Sequence, residues 1–441
     1  MRMNIKMIKN KSLLFAPIIF LAGALTVSAE NIVPVTSLTK SCKPLINKNL
    51  KIPKVAIRGL SERSHKRISR ALEKLAEENY VEAIDLLKQL LESSKDQHVQ
   101  ASVAKYIGIA YAQQKGKSNE VQATTYFSKA LDLGKGFLQH KELQDLTQNV
   151  AQMLYGQDKK AKAIEYLKRW MKNSNVDSAG VYLIYAAILF DQGKSRDSVC
   201  PAYWAAKIDK KPNKSAMGIL LNAHFEFKDY AGTIALLKQL ILDFPTEKRF
   251  WRNLTSVYSQ EDQLDEALAV MEMFYVQGLM ETENDYKLLS SMFAYNDIPY
   301  RTAVILKEGI DKGLVKDTEK NWSNIASNFH VASELEKAID AYSRAAAKTD
   351  SGEKDLKRAE LLADLDKFKE AIAGFNKALQ KGSLKDPGKA HFRKGLAYLG
   401  MKQYNSALTA LDKATKYKKW RKQSVQWASY VRNQKKNAAK L

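Results

Sequence analysis

The chain has 441 residues, of which 45% are hydrophobic, and this is enough apolar material for a large core. It contains only 20 Gly and 9 Pro, which argues against a turn-rich all-β fold, while 27% charged residues are typical of a soluble helical protein. The formal charge of +23 favours an anionic partner or surface without identifying it.

Residues 1–29 have the features of a secretory signal peptide: a basic start, an apolar run at 13–25 and small residues at 27–29. The apolar run is short and contains Pro17, so we expect cleavage rather than a retained membrane anchor. Loss of the four basic residues in this segment would lower the formal charge to +19. Export to the periplasm would make nucleic acid an improbable partner.

Residues 30–63 are basic and contain Pro34, Pro44 and Pro53, a composition that predicts an extended and partly disordered arm. Two cysteines, Cys42 in this arm and Cys200, are too few for a disulfide scaffold and lack metal-ligand spacing. In an oxidising compartment they could pair and hold the arm. The alternative is a free Cys42 and a Cys200 buried as a small apolar side chain.

A stretch near the middle of the chain has the pattern of two antiparallel helices. Trp251, Leu254 and Tyr258 fall at i, i+3 and i+7, on one face of a helix. After a polar break, Ala267 and later apolar residues mark a second helix, whose small side chain allows the bulky ones to approach closely. This spacing resembles the tetratricopeptide repeat (TPR), a helix–turn–helix unit of about 34 residues.

The same second-helix pattern recurs along the chain, each time beginning with a small residue. The successive first members are Ala83, Ala123, Ala163, Ser198, Thr233, Ala267, Thr302, Ala338, Ala371 and Ala407. They are 33 to 40 residues apart. The resemblance therefore implies an all-α fold, a TPR superhelical solenoid of about ten helix–turn–helix units over residues 64–419.

An array of stacked units needs capped ends, and residues 420–441 are predicted to form a C-terminal capping helix with a basic tail. Val425, Trp427, Tyr430 and Val431 are predicted to supply its apolar side. From residue 413 onward the chain has ten Lys or Arg and no acidic residue. Such a block binds anionic surfaces or acidic partners, or keeps the chain soluble.

No catalytic constellation is visible in the sequence. The six histidines lie too far apart to share a metal ion, and no phosphate-loop or dinucleotide Gly pattern occurs. The tetrad Ser351-Gly352-Glu353-Lys354 matches one motif of acylating enzymes, but the companion motifs are missing. We expect neither an enzyme nor a bound metal or cofactor.

The concave groove of the predicted array is the candidate partner-binding site. The residues expected to line it form a basic, hydrogen-bonding strip: Arg249, Arg252, Ser256, Asn284, Lys287, Lys320 and His330. An extended acidic or C-terminal peptide would suit such a strip. The alternative is that these are ordinary solvated helix positions.

Several phrases resemble the periplasmic TPR proteins found with TonB–ExbB–ExbD systems. They are FWRNL at 250–254, PYRTA at 299–303, ELEKAI at 334–339, ALQKG at 378–382 and QWASYV at 426–431. The resemblance implies an adaptor that supports TonB-dependent nutrient uptake, with TonB, ExbB or ExbD as partners. The alternative is an envelope assembly scaffold for outer-membrane or peptidoglycan machinery, and the oligomeric state stays open.

Overall fold

The computed structural model describes residues 32–56, 58–114 and 116–439. Its regular secondary structure in these ranges consists of 21 α-helices, with no strand. In the same ranges, no helix has both the length and the apolar character that a membrane span requires. The predicted signal peptide, residues 1–29, lies outside the described residues.

The chain divides into two compact units, and the first ends at Ala223. The eight complete helices of the first unit are α1 Glu62–Ala76, α2 Tyr80–Ser93, α3 Gln97–Gln113, α4 Lys117–Leu133, α5 His140–Gly156, α6 Lys160–Lys172, α7 Ala179–Asp191 and α8 Ser195–Ile208. The division falls inside α9, Lys214–Glu226.

The second unit begins at His224. Its complete helices are α10 Tyr230–Asp243, α11 Lys248–Gln260, α12 Leu264–Val276, α13 Glu283–Tyr295, α14 Pro299–Asp311, α15 Glu319–Val331, α16 Leu335–Ala346, α17 Glu353–Asp364, α18 Phe368–Lys381, α19 Pro387–Gly400, α20 Tyr404–Thr415 and α21 Lys418–Ala438. Within each unit, a first helix packs on the second helix that follows it, and that helix packs on the next first helix.

The ten small residues chosen from the sequence all lie in second helices, from Ala83 in α2 to Ala407 in α20. Their side chains are no more than 2% exposed. A larger side chain there would push the two helices of a hairpin apart, so burial of these positions sets the close packing. The predicted fold class, an all-α TPR array with a C-terminal helix, is therefore confirmed.

The turn between first and second helix is built in one repeated way. Nine turns place a residue with φ between 53° and 71° five positions before the small residue, namely Glu78, Asp158, Gly193, Lys228, Asp262, Asp297, Ser333, Asp366 and Lys402. The following N–H donates to the carbonyl oxygen five residues earlier, at 2.8 to 2.9 Å. This left-handed helix cap reverses the chain within a few residues.

At the start of the array, two successive intervals between the small residues are 40 positions long, and the extra residues lie mainly in longer helices. Helices α3, α4 and α5 have 17 residues each, whereas α11 to α15 have 13. An extra turn of helix keeps every backbone hydrogen bond satisfied, which a longer loop would not do.

The C-terminal helix α21 is present, but the apolar side predicted for it was correct only at Val431 and wrong at the other three residues. Val431 is fully buried, whereas Trp427 is 38% exposed and Val425 and Tyr430 are more exposed still. The buried stripe instead runs through Ser424, Ala428 and Val431. Those positions share one helical face, while 425 and 427 point to either side of it.

The described part of the arm, expected to be partly disordered, is held against the helices of the first unit. Cys42 and Cys200 form a disulfide with a Cα–Cα distance of 5.2 Å. The carbonyl oxygens of the arm also accept side-chain hydrogen bonds, from Trp204 to Lys43 at 2.8 Å and from Asn175 to Leu50 at 3.2 Å. These bonds satisfy an extended backbone that has no strand partner, which explains how it stays ordered.

Candidate partner-binding surface

The predicted groove residues lie on three first helices of the second unit. Arg249, Arg252 and Ser256 are on α11, Asn284 and Lys287 on α13, and Lys320 and His330 on α15. Equivalent positions recur, because Arg249, Asn284 and Lys320 each stand two residues before a buried aromatic side chain. We call this set the first-helix surface.

Arg252 differs from the other members of the first-helix surface because it is committed to an internal ion pair. Its Nε and an NH2 nitrogen donate to the two carboxylate oxygens of Asp285, each at 2.9 Å. Asp285 is only 2% exposed and also accepts from the backbone N–H of Thr282 at 3.0 Å. Such a two-pronged pair fixes α11 to the start of α13.

The electrostatics of this pair follow from its surroundings. Burial raises the pKa of the Asp285 carboxyl, but the hydrogen bonds from Arg252 and Thr282 outweigh burial and leave the pKa below its usual value. The hydrogen bond to Asp285 in turn raises the pKa of Arg252. Both groups are therefore charged at neutral pH, and a ligand could take Arg252 only by leaving a buried carboxylate without its partner.

The other charged members remain open to solvent. The side chain of Arg249 is 61% exposed and lies 3.4 Å from Glu247. Lys287 is 48% exposed and pairs with Glu283 at 2.7 Å, while Lys320, Ser256 and Asn284 are exposed. In the first-helix surface, the carboxylates of Glu247 and Glu283 are therefore interleaved with the basic side chains.

His330 belongs to a different part of this face. It lies ten residues after Lys320, about 15 Å along the same helix. It lines a cavity of 350 Å³ whose other residues come mainly from α17 and α19. There Lys389 Nζ lies 2.5 Å from Glu360, and Arg393 pairs with Asp364. The structure thus does not bring His330 together with the arginines of α11.

The sequence reasoning missed the charged residues of this cavity. Lys357, Lys389 and Arg393 were not among the predicted binding residues, although all three line the cavity with His330. Lys357 stands one residue after Leu356, as Arg252 stands after Trp251 and Lys287 after Tyr286. If the residue that follows the buried one had also been selected on α17, as it was on α11 and α13, Lys357 would have been identified.

A second cavity, of 490 Å³, is lined by α15 and by the second helices α14 and α16. Trp322 and Phe329 form its floor, and Tyr300 and Lys337 stand at its rim. Lys337 Nζ lies 4.7 Å from the centre of the Tyr300 ring and 3.3 Å from its hydroxyl oxygen. An apolar floor with a charged rim can accept an apolar side chain of a partner.

The first-helix surface offers hydrogen-bonding and ionic groups. Among the described residues, no group of three or more His, Cys, Asp or Glu is placed to hold a metal ion. The exposed groups are amides, hydroxyls, ammonium and guanidinium groups, with carboxylates between them, and all of these can form hydrogen bonds or ion pairs with a peptide.

Comparisons with known proteins give similar structures only. No family model matches the chain. No curated protein matches it either. A tetratricopeptide repeat protein from Parabacteroides merdae is 12% identical, with 61% of this chain and 100% of that chain covered and a TM-score of 0.36. YrrB, described as a TPR protein with an unusual peptide-binding site, is 16% identical over 40% and 90% of the two chains, with a TM-score of 0.30. MamA is 18% identical over 39% and 97%, with a TM-score of 0.29.

Proposed function

We propose that this protein is an exported, non-enzymatic adaptor that acts in the periplasm and binds an extended segment of a partner protein. The observation that carries the proposal is the first-helix surface, where exposed polar and charged side chains recur at equivalent positions of α11, α13 and α15. A repeated row of donors matches the repeated carbonyl oxygens and side chains of an extended chain.

The chemistry of the first-helix surface indicates which kind of partner segment would bind to it. Arg249, Lys287 and Lys320 would pair with carboxylates, while Asn284 and Ser256 would bond to its backbone. Lys287 must exchange Glu283 for the partner, so the net gain from this pair is small. We therefore expect moderate affinity, with electrostatic attraction acting mainly on the rate of association.

The partner that we propose is a component of a TonB-type energy-transduction and nutrient-uptake complex. Two sequence features support this: the predicted signal peptide of residues 1–29 and the phrases shared with TPR proteins of TonB–ExbB–ExbD systems. TonB, ExbB or ExbD would then be held by the first-helix surface. The adaptor would supply proximity and orientation and no chemical step.

A second candidate is an assembly scaffold for outer-membrane or peptidoglycan machinery. It is favoured by α21, where Lys418, Lys419, Arg421, Lys422 and Arg432 are exposed on one helix. Phosphates of lipopolysaccharide or carboxylates of peptidoglycan would be attracted to such a helix. Binding of this kind weakens steeply with salt, whereas a peptide held by hydrogen bonds and side-chain contacts weakens less.

Crosslinking in intact cells, followed by capture of the tagged chain and mass spectrometry, tests the proposal. The critical variant is Arg249→Glu with Lys320→Glu, which reverses two exposed charges and leaves the Arg252–Asp285 pair intact. The matched control, Lys369→Glu with Lys413→Glu, makes the same charge change on the second helices α18 and α20. We expect TonB, ExbB or ExbD with the native chain and the control, and their loss with the critical variant.

Two other results would count against the proposal. Capture of the TonB components by the critical variant at native levels would place the interface elsewhere. Enrichment of outer-membrane or cell-wall assembly proteins, with no TonB component, would make the scaffold the better explanation.

A further inference from the structure

A cavity of 790 Å³ lies between the N-terminal arm and the helices of the first unit. Residues 50–55 of the arm cover it, and the side chains of Leu50, Ile52, Pro53 and Val55 give this cover an apolar character. The opposite wall comes from α5 and the end of α6. Its size falls within the range of small-molecule sites in proteins.

The charged side chains that line the cavity all have one sign. They are Lys51, Lys135 and Arg169, and no carboxylate of the described residues lines it with them. Arg169 is only partly exposed, at the end of α6. His140 is the first residue of α5, whose N-terminal end adds partial positive charge. Asp132 lies 4.0 Å from Lys135 Nζ but does not line the cavity, so the lining itself carries positive charge and attracts an anion.

The polar wall is fixed by hydrogen bonds. Gln144 Nε2 donates to the carbonyl oxygen of Asn173 at 2.6 Å and lies 3.3 Å from His140 Nε2. These contacts connect α5 to the end of α6, so the Gln144 amide that faces the cavity is held in place before a ligand arrives. Such preorganisation reduces the entropy lost on binding.

The cover is also held at both ends. The Cys42–Cys200 disulfide and the ion pair of Lys48 with Asp177 at 2.9 Å anchor the arm just before residue 50. Gln139 Nε2 donates to the carbonyl oxygen of Val55 at 3.2 Å at the other end. The apolar cover and the basic wall therefore form one built site rather than a loose gap under a free strand.

We propose that this cavity binds a small organic anion with an apolar body, of the class of aromatic or aliphatic carboxylates. Arg169 and Lys135 receive the carboxylate, and Leu50, Ile52 and Val55 cover the apolar body. A purely inorganic anion would leave the apolar cover unused, and a neutral apolar molecule would leave the basic side chains without a counter-charge. The site is separate from the first-helix surface and does not depend on its function.

The test is isothermal titration calorimetry of the purified, oxidised chain. The probes are naphthalene-2-carboxylate and laurate, which distinguish an aromatic from an aliphatic ligand, with naphthalene-2-carboxamide as the neutral counterpart. We expect at least one of the two carboxylates to bind. If naphthalene-2-carboxylate binds, it should bind at least tenfold more tightly than naphthalene-2-carboxamide. Laurate is compared with dodecanamide in the same way. Failure of both carboxylates to bind, or equal binding of acid and amide, would overturn the proposal.

Variants locate the site. Arg169→Gln with Lys135→Gln should weaken carboxylate binding at least tenfold, while Lys168→Gln with Lys172→Gln, which changes two exposed residues of α6 outside the cavity, should leave it unchanged. Circular dichroism verifies that both variants are folded. Binding that is insensitive to the cavity variant would contradict the assignment, and the acid–amide comparison on the native chain decides the matter if that variant does not fold.

Discussion

At the scale of single residues, two arginines on the same helix have different roles. Arg249 and Arg252 were predicted together as binding residues, but only Arg252 reaches the buried carboxylate of Asp285, 33 residues away. Helical periodicity identifies which residues leave the core face, and it does so correctly for both. It cannot show which of them meets a residue of the next hairpin, because that depends on how two hairpins pack.

We predict that Arg252→Ala lowers the free energy of unfolding by about 2–4 kcal/mol, because it leaves Asp285 buried without its cation. Arg249→Ala should change it by less than about 0.5 kcal/mol, since that side chain is largely exposed. Urea unfolding followed by circular dichroism measures both. Equal effects of the two substitutions would show that the Arg252–Asp285 pair contributes nothing specific.

The same pair predicts a pH dependence. The pKa of Asp285 is lower in the folded chain than in the unfolded one, so the ionised carboxylate stabilises the fold above the unfolded value of about 4. This contribution is lost as the pH falls below 4 through the folded pKa. Asp285→Asn should therefore destabilise the chain clearly at pH 7 and less at pH 3. A difference from the native chain that stays constant between these pH values would contradict the assignment.

At the scale of helices and turns, the repeat pattern predicted most of the fold. A small residue every 33 to 40 positions located all ten second helices, because close helix packing constrains side-chain size strongly. The turn residues with positive φ were not predicted, since Glu, Asp, Lys and Ser occur there as well as Gly193. The backbone hydrogen bond of the cap imposes this positive φ, and no single residue type at the turn position predicts it.

Gly193 offers a test of that turn. Its φ of 71° is accessible to glycine without strain, whereas an alanine there meets its own carbonyl group. We predict that Gly193→Ala lowers the free energy of unfolding by about 1 kcal/mol. Gly156→Ala is the matched control, because a Cβ at that helical position has no atom within 4 Å. Thermal unfolding should show a lower midpoint for the first variant alone.

In the terminal helix α21, the sequence pattern also failed to identify which tryptophan packs against the array. Trp427 was predicted to lie on the apolar side of α21, but the partly buried Trp420 makes the closer contacts: its ring stacks on Phe392 with 5.0 Å between ring centres, and its Nε1 donates to Asp386 at 2.7 Å. We predict a loss of about 2–4 kcal/mol in unfolding free energy for Trp420→Ala and less than about 1 kcal/mol for Trp427→Ala. Urea unfolding of both variants decides between the two anchors, and a larger loss for Trp427→Ala would reverse the assignment.

At the scale of the whole molecule, the arm adds contacts between residues far apart in sequence to an array whose other contacts are mostly between neighbouring helices. Its contacts join residues that are up to 161 positions apart, as between Lys43 and Trp204. Repeat periodicity contains no information about such contacts, because they connect a segment outside the array to several hairpins at once. The sequence accordingly left the pairing of Cys42 and Cys200 open, and the candidate ligand cavity beneath the arm went unnoticed.

The disulfide gives the last prediction. It closes a loop of 158 residues, and loss of a native cross-link of that length removes about 2–5 kcal/mol of stability by enlarging the entropy of the unfolded chain. The double variant Cys42→Ser with Cys200→Ser should therefore unfold at lower urea concentration and lose the arm to limited proteolysis sooner than the oxidised native chain. Reduction of the native chain should reproduce both effects, whereas reductant should leave the double variant unchanged. If the arm resists proteolysis equally in all three states, then the hydrogen bonds to Lys43, Leu50 and Val55 hold it without the covalent bond, and the cavity does not depend on the redox state.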